Sequence, residues 1–316
     1  MTIDRKPKKS RILLAVDGSV QSLSAVRYVA KIFNKNAKTV LFHVGSDIPE
    51  VFKDMNRDRS TILGQIPFEI WKAHQEETIK GFMEKARTVL IGSGFDPKAV
   101  ELKVQNLKYG IARDIYRESC SDYDALVVGR TGVGKFDDFI MGSVTSKLVE
   151  VIGHIPIIVV GEHTESPKIL IALDGSRGSM RAVNFTGDSL ATGVCEIILC
   201  HVIRPLSLHQ LKPKNLFISK HEADWIAGNQ RKILPVIIEA KNRLIEAGHS
   251  EDQISREILT YKQSRAAAIV KAAADGGCDT IVLGRRGFTS VDNFSMGRVS
   301  RKILYFAYRP ALWIVS

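Results

Sequence analysis

The sequence predicts an α/β fold written twice: two tandem open-sheet domains, residues 1–162 and 163–316, each a five-stranded parallel sheet in the order 3-2-1-4-5 with helices on both faces. The first observation behind this is an internal repeat. RILLAVDGS (11–19) returns as KILIALDGS (168–176), VLFHV (40–44) as IILCHV (197–202), and YDALVVGR (123–130) as CDTIVLGR (278–285), in the same order. Matching residues stay about half a chain apart: Asp17 to Asp174 is 157, His43 to His201 is 158, and Gly129 to Gly284 is 155. The second observation is that short Val/Ile/Leu runs alternate with stretches of helical period, the pattern of βαβ units.

In the first copy the apolar runs place strands near 11–17, 38–45, 99–105, 124–129 and 155–160; in the second, near 168–174, 195–203, 254–260, 279–284 and 311–316. After the first strand, Leu23, Val26, Ala30 and Phe33 form a helical stripe, which Met180, Val183, Gly187 and Leu190 repeat at an offset of 157. These stripes read as core. Between the second and third strands lie long polar segments, 45–68 and 203–221, that fit a lid, an interface arm or mobile surface. Each is followed by a long helix, 69–92 or 222–247. GEHTESPK (161–168) is the natural linker, short enough to predict that the two domains pack together.

Bulk properties bound the function. A chain of 316 residues with 45% hydrophobic content can fill two cores, and a formal net charge of +11 suits acidic partners as well as it suits a plain solvated face. Cys120, Cys195, Cys200 and Cys278 form no C-x-x-C pair and are expected to be buried, reduced thiols. No apolar run reaches the roughly 20 residues of a membrane-spanning helix, and MTIDRKPKKSR has no signal-peptide core, so the expectation is a cytoplasmic protein without a membrane partner.

GRTGVGKFDDFIMGS (129–143) nearly spells a P-loop, in which backbone N–H groups and a Lys cradle phosphates. Phe136 stands where the P-loop needs Ser or Thr, and the second copy, GRRGFTSVDNFSMGR (284–298), has no Gly-Lys pair. What recurs is Gly129-x2-Gly132-x9-Gly142 and Gly284-x2-Gly287-x9-Gly297. The helix signal begins after Gly142, with Ser143 as N-cap and Val144, Leu148, Val151 and Ile152 at helical spacing. A helix start offers unpaired N–H groups and the positive end of the macrodipole, so Gly142, Ser143, Val144 and Thr145 are candidates to hold an anion. Gly129 and Gly132, at the carboxyl edge of the sheet where ligands of open α/β folds lie, let a ligand approach the backbone. Asp17 at the same edge suits a ribose or metal-water contact, or simply the Asp-Gly-Ser turn.

These repeats and glycine frames resemble the universal stress protein family in its tandem form, over nearly the whole chain. The resemblance implies an ATP site, with Mg2+ as an optional companion. Ala15, Val16 and Asp17 would lie beside adenine and ribose, and Val44 would border the base. Gly129, Arg130 and Gly132 would meet ribose and phosphate, while Gly142, Ser143, Val144 and Thr145 would bind the phosphate tail. In the second copy Asp174, Val202, Gly284, Gly287, Gly297 and Ser300 are retained, but Arg298 replaces the small residue after the last glycine. An Arg there either pairs with phosphate or fills the anion site, so the second nucleotide site is expected to be degenerate. The resemblance also implies an intrachain pseudo-dimer with the fifth strands, IPIIVV and ALWIVS, meeting, further protein partners, and conceivably a homodimer.

The leading reading is an adenine-nucleotide-binding, stress-response regulatory protein acting through ligand-dependent protein interaction. A slow ATP-hydrolysing or nucleotidyl-transferring enzyme is the alternative, since a fold alone assigns no activity. The basic residues Arg285, Arg286, Arg298, Arg301 and Lys302 could contact phosphate or form a solvated face or interface, and the basic surface as a whole allows a nucleic-acid-binding alternative. His43 and His201 read as half-buried imidazoles, and Trp71, Trp225 and Trp313 as packing residues.

Overall fold

A computed structural model describes residues 10–45, 62–132, 141–162, 164–205, 216–260, 264–288 and 296–316, with side chains from residues 68 and 221 onward in the two long helices. The Gly-Lys pair at 134–135, Phe136 and most of the long polar segments lie outside these residues. The first half runs β1 (Arg11–Ala15), α1 (Val20–Ile32), β2 (Lys38–Val44), α2 (Ile62–Gly92), β3 (Val100–Gln105), α3 (Ile111–Ser119), β4 (Ala125–Gly129), α4 (Ser143–Val151) and β5 (Ile157–Val160). The second repeats it as β6 (Lys168–Ala172), α5 (Arg177–Ser189), β7 (Glu196–Ile203), α6 (Leu216–Glu246), β8 (Ile254–Thr260), α7 (Arg265–Asp275), β9 (Thr280–Gly284), α8 (Arg298–Phe306) and β10 (Ala311–Val315).

Local chemistry sets the element boundaries. Each first strand ends in Asp-Gly-Ser, and Gly18 and Gly175 take φ of 81° and 83°, a left-handed backbone that side chains resist. The following Ser19 and Ser176 cap α1 and α5, accepting from the N–H of Ser22 (3.1 Å) and Ser179 (3.2 Å). Strand residues alternate between two cores. Ile12 and Leu14 pack with α1 and α2, whereas Leu13 packs with the α3 and α4 side. Burial on both faces explains why the strands read as unbroken apolar runs.

All ten strands form one sheet in the order β3-β2-β1-β4-β5-β10-β9-β6-β7-β8. Each half keeps the order 3-2-1-4-5 with parallel pairing, and the halves join where β5 meets β10 antiparallel. The sheet is therefore continuous across both halves, larger than the five strands expected of each. At the join Trp313 pairs with Ile158, its own repeat counterpart, flanked by Leu312 with Val159 and Ile314 with Ile157. A register symmetric about one pair of equivalent residues places a twofold axis between them. An isolated antiparallel bridge joins Phe33 to Leu190, again counterparts.

A second exchange ties the halves together. The Arg130 guanidinium donates to the Leu304 carbonyl in the last turn of α8, and the Arg285 guanidinium donates to the carbonyls of Val149 (2.6 Å) and Glu150 (3.3 Å) at the end of α4. Each cation thus meets the unpaired carbonyls and negative dipole end of the opposite half's helix. Both side chains are buried, and burial pushes Arg130 down to about 10, so it stays charged at neutral pH.

The indole of Trp313, fully buried, stacks on Phe33 (5.2 Å between centroids) and lies 5.4 Å from Phe185. Its Nε1 donates to the Tyr28 hydroxyl (2.8 Å), which is also 2.8 Å from Thr280 Oγ1. Three polar atoms from two halves are thereby satisfied in a dry core. Three of the cysteines are buried and reduced as expected; Cys120 is free but exposed, because it ends α3 at the surface. Tyr28→Phe strands the indole N–H and the threonine hydroxyl in that core, which costs about 1–3 kcal/mol. Urea denaturation is expected to show a lowered midpoint in that variant, and an unchanged midpoint would remove the network's role.

Candidate functional site

Because the strands within each half are parallel, their carboxyl ends and the N-termini of the crossover helices share one edge. In the first half this edge gathers Ala15, Val16 and Asp17 after β1, Val44 at the end of β2, the Gly129–Gly132 stretch after β4, and the start of α4. The side chains of Val16 and Val44 are buried, so what they present to the edge is backbone.

Asp17 does two things. Its Oδ1 accepts from the Ser19 N–H (3.0 Å), the Asx turn that leads into α1, and its Oδ2 lies against Gly132, 2.6 Å from where a Cβ would sit. The second half repeats both contacts. Asp174 Oδ1 accepts from the Ser176 N–H (2.9 Å), and Asp174 Oδ2 lies 2.4 Å from a Cβ built on Gly287. The glycine loop therefore packs directly against the aspartate, and any side chain at Gly132 or Gly287 would displace that carboxylate.

Three site expectations change. Gly129 is not kept bare for a ligand. A Cβ there would meet the α1 backbone at Gln21 (3.1 Å), and at Gly284 the α5 backbone at Gly178 (2.6 Å), so these glycines let a helix close onto the sheet. Arg130 does not turn its side chain to the site; the guanidinium is withdrawn into the junction, and only its backbone remains at the edge. Its carbonyl accepts the Gly142 N–H (2.9 Å), as Arg285's accepts that of Gly297 (2.9 Å). Finally, the N-cap of α4 is Gly142 (φ −65°, ψ 151°), one residue before the expected Ser143.

The helix start itself has the expected form. Ser146 N–H bonds back to the Gly142 carbonyl (2.9 Å), so the amides of Ser143, Val144 and Thr145 precede the first intrahelical bond and point off the end of α4. The Thr145 hydroxyl is buried and donates to the Gly129 carbonyl (2.8 Å), pinning helix to strand; Ser300 repeats this to Gly284 (2.9 Å). Only the backbone of Thr145 and Ser300 is thus offered to an anion.

In the second half these positions open into a cleft of ≈ 940 Å³. Asp174, Val202, Gly284, Gly287, Gly297, Arg298 and Ser300 all line it. Arg298 is the first residue of α8 and exposed, lining the cleft without closing it. The wall also takes residues that motif spacing could not reveal, among them Trp225 and Lys232 from α6, Arg265 from α7 and Phe288 after the loop. Trp225, read as a packing residue, is 43% exposed and donates its Nε1–H to the Arg204 carbonyl (3.0 Å). In the first half Phe82 of α2 covers Gly18 and meets the His43 ring edge-on at 5.0 Å. Phe82 has no aromatic counterpart in the second half, and Trp225 repeats Trp71 at an offset of 154 without any spacing that ties it to the glycine loop, so their placement needed the fold.

His43 and His201 are the imidazoles beside these edges. Each donates Nδ1–H to the carbonyl of the residue ending the first strand's run, Val16 (2.7 Å) or Leu173 (2.6 Å). Burial lowers the pKa of both despite that bond, and burial also lowers that of His249. Among the described residues no group of three or more His, Cys, Asp or Glu could hold a metal ion, and no helix is long and apolar enough to cross a membrane.

Residues 165–312 match the family model described as the universal stress protein family. A universal stress protein of Mycolicibacterium smegmatis is 24% identical over 196 residues, covering 60% of this chain; the chain spans 63% of that relative's length. Universal stress protein YxiE of Bacillus subtilis is 25% identical over 147 residues, 46% of this chain and 96% of that protein. The crystal structure of a universal stress protein from Archaeoglobus fulgidus superposes with a TM-score of 0.56 at 15% identity, covering 98% of this chain and 99% of that one, a likeness of fold.

The histidines give a pH expectation. With folded-state pKa values below the ordinary imidazole value near 6.5, the unfolded chain takes up protons first as pH falls. The histidine contribution to stability is complete above about pH 6.5 and is lost below it. Melting temperatures measured from pH 8 to pH 5 should fall through that lower range, and fall less in a His43→Asn/His201→Asn variant, whose amides keep the donor to the carbonyl without titrating.

Proposed function

Because the chain belongs to the universal stress protein family, we propose that it is a nucleotide-binding regulatory protein, with ATP as ligand and partner proteins that respond to its occupancy. The observation that carries this reading is the convergence of all seven second-half positions on one cleft of ≈ 940 Å³, a volume in the range of small-ligand sites. The first half repeats the same arrangement: Asp17 packed against the glycine loop, and three amides of α4 facing the edge. Phosphates suit those amides, because the helix start provides donors and a positive dipole end without a counter-charge of its own. Adenine, with hydrogen-bonding groups on its rim, suits the backbone edge beside Val16 and Val44, or beside Leu173 and Val202. If Mg2+ accompanies the nucleotide, Asp17 and Asp174 are the carboxylates at hand.

The geometry also selects the test. Gly132→Glu would move Asp17 whether or not a ligand binds, whereas Gly142 is open: its Cβ would meet nothing nearer than 3.4 Å, and the backbone is ordinary extended. Gly297 is equally open, with 3.4 Å to the nearest atom. Gly142→Glu and Gly297→Glu therefore put a carboxylate at each helix start without straining the chain. Calorimetric titration with ATP should show each substitution removing binding at its own half. ATP stoichiometry unchanged in both variants would overturn the reading.

A further inference from the structure

At equivalent positions around the two edges, the second half carries far more positive charge. Ile111 opens α3, but Arg265 opens α7; Ser143 opens α4, but Arg298 opens α8; Thr131 follows the loop arginine of the first half, but Arg286 follows that of the second. The fourth residue of α3 is the buried Asp114, which accepts from the backbone N–H of Lys108 (2.9 Å) and Tyr109 (3.2 Å), whereas the fourth residue of α7 is the apolar Ala268. The second edge thus gains three guanidiniums and loses one, Arg113 becoming Ala267, together with a carboxylate.

These charges surround a cavity. Arg265, Arg286 and Arg298 line the ≈ 940 Å³ cleft together with Lys232 and Lys302, so cations enter it from α6, α7, the loop after β9, and α8. The one carboxylate in that lining is Asp174, already engaged with the Ser176 amide. Among the described residues none of the five cations forms a salt bridge, in contrast to Lys241, Arg243 and Lys271 elsewhere on the same half. Helices α7 and α8 pack side by side, so their positive N-terminal ends open onto the same edge as the arginines. Planar guanidiniums and two helix starts around one hollow match the tetrahedral, multiply charged phosphates of a phosphate chain.

We propose that the second cleft selects adenine nucleotides by phosphate charge, taking a chain longer than the triphosphate in preference to ATP. The inference rests on the nucleotide reading above and adds a division of labour between the halves. Arg298, which the motif marks as a departure, is the specificity-determining residue, with Arg286 and Arg265 beside it.

The test uses the full chain in a Trp71→Phe background, where the remaining indoles are Trp225 in the cleft wall and Trp313, fully buried at the junction and outside the cleft, so a ligand-dependent change reports on Trp225. Trp225 fluorescence is titrated with AMP, ATP, adenosine 5′-tetraphosphate and inorganic tripolyphosphate. The expected result is tighter binding of the tetraphosphate than of ATP by on the order of tenfold, the size of one charge-assisted contact. Arg298→Ser combined with Arg286→Thr, which gives the cleft the residues the first half already carries, should abolish that preference without lowering the melting temperature. Equal affinity for ATP and tetraphosphate, or a preference that survives the double substitution, would overturn the selectivity and leave nucleotide binding standing. A response to tripolyphosphate with none to any nucleotide would overturn both, identifying a polyanion site instead.

Discussion

The hydrogen-bonded pairing of β5 with β10 is the constraint on which the rest of the molecule depends. A five-stranded sheet of this topology ends in a short, wholly apolar strand on one side, and such an edge invites uncontrolled association. Each half supplies the other's missing neighbour. Once that ladder forms, Phe33 meets Leu190, Trp313 enters the first half's core, and Arg130 and Arg285 reach each other's helix ends. The junction is as specific as a domain interior.

The same arginines explain how the glycine loops are fixed. Arg130 uses its carbonyl to hold the start of α4 and its guanidinium to hold the end of α8; Arg285 does the converse. The backbone facing the candidate ligand edge is therefore clamped at a residue whose side chain lies in the interface. This is preorganisation by burial, since a buried guanidinium bonded to helix-end carbonyls has little freedom to move.

Much of the fold was legible because its signals are periodic and duplicated. Every expected strand is present within about two residues, and the repeat offsets near 157 survive as twofold contacts. The site was legible in part. Glycine spacing located the loop and the helix start, but not the purpose of each glycine: Gly129 admits a helix, Gly132 admits a carboxylate, and only Gly142 is open. Arg130 was unreadable from one dimension, because its partner Leu304 is 174 residues away. Trp225 and Phe82 come from long helices whose register over the edge no local pattern encodes. Arg298 looked like damage to a motif until the fold set it beside Arg265 and Arg286 on the wall of one cleft.

The pair on the twofold axis has a consequence for engineering. In an assembly of two identical chains, whatever side chain occupies that site must face a copy of itself. Two indoles there would collide in a close-packed interior, and two isoleucines would leave the space beneath Phe33 and Phe185 unfilled. Two halves within one chain are free of that restriction: Trp313 stands opposite a smaller Ile158, and Tyr28 carries a hydroxyl that its counterpart Phe185 lacks. The two faces of the junction are therefore unlike, each shaped for the other and not for a copy of itself.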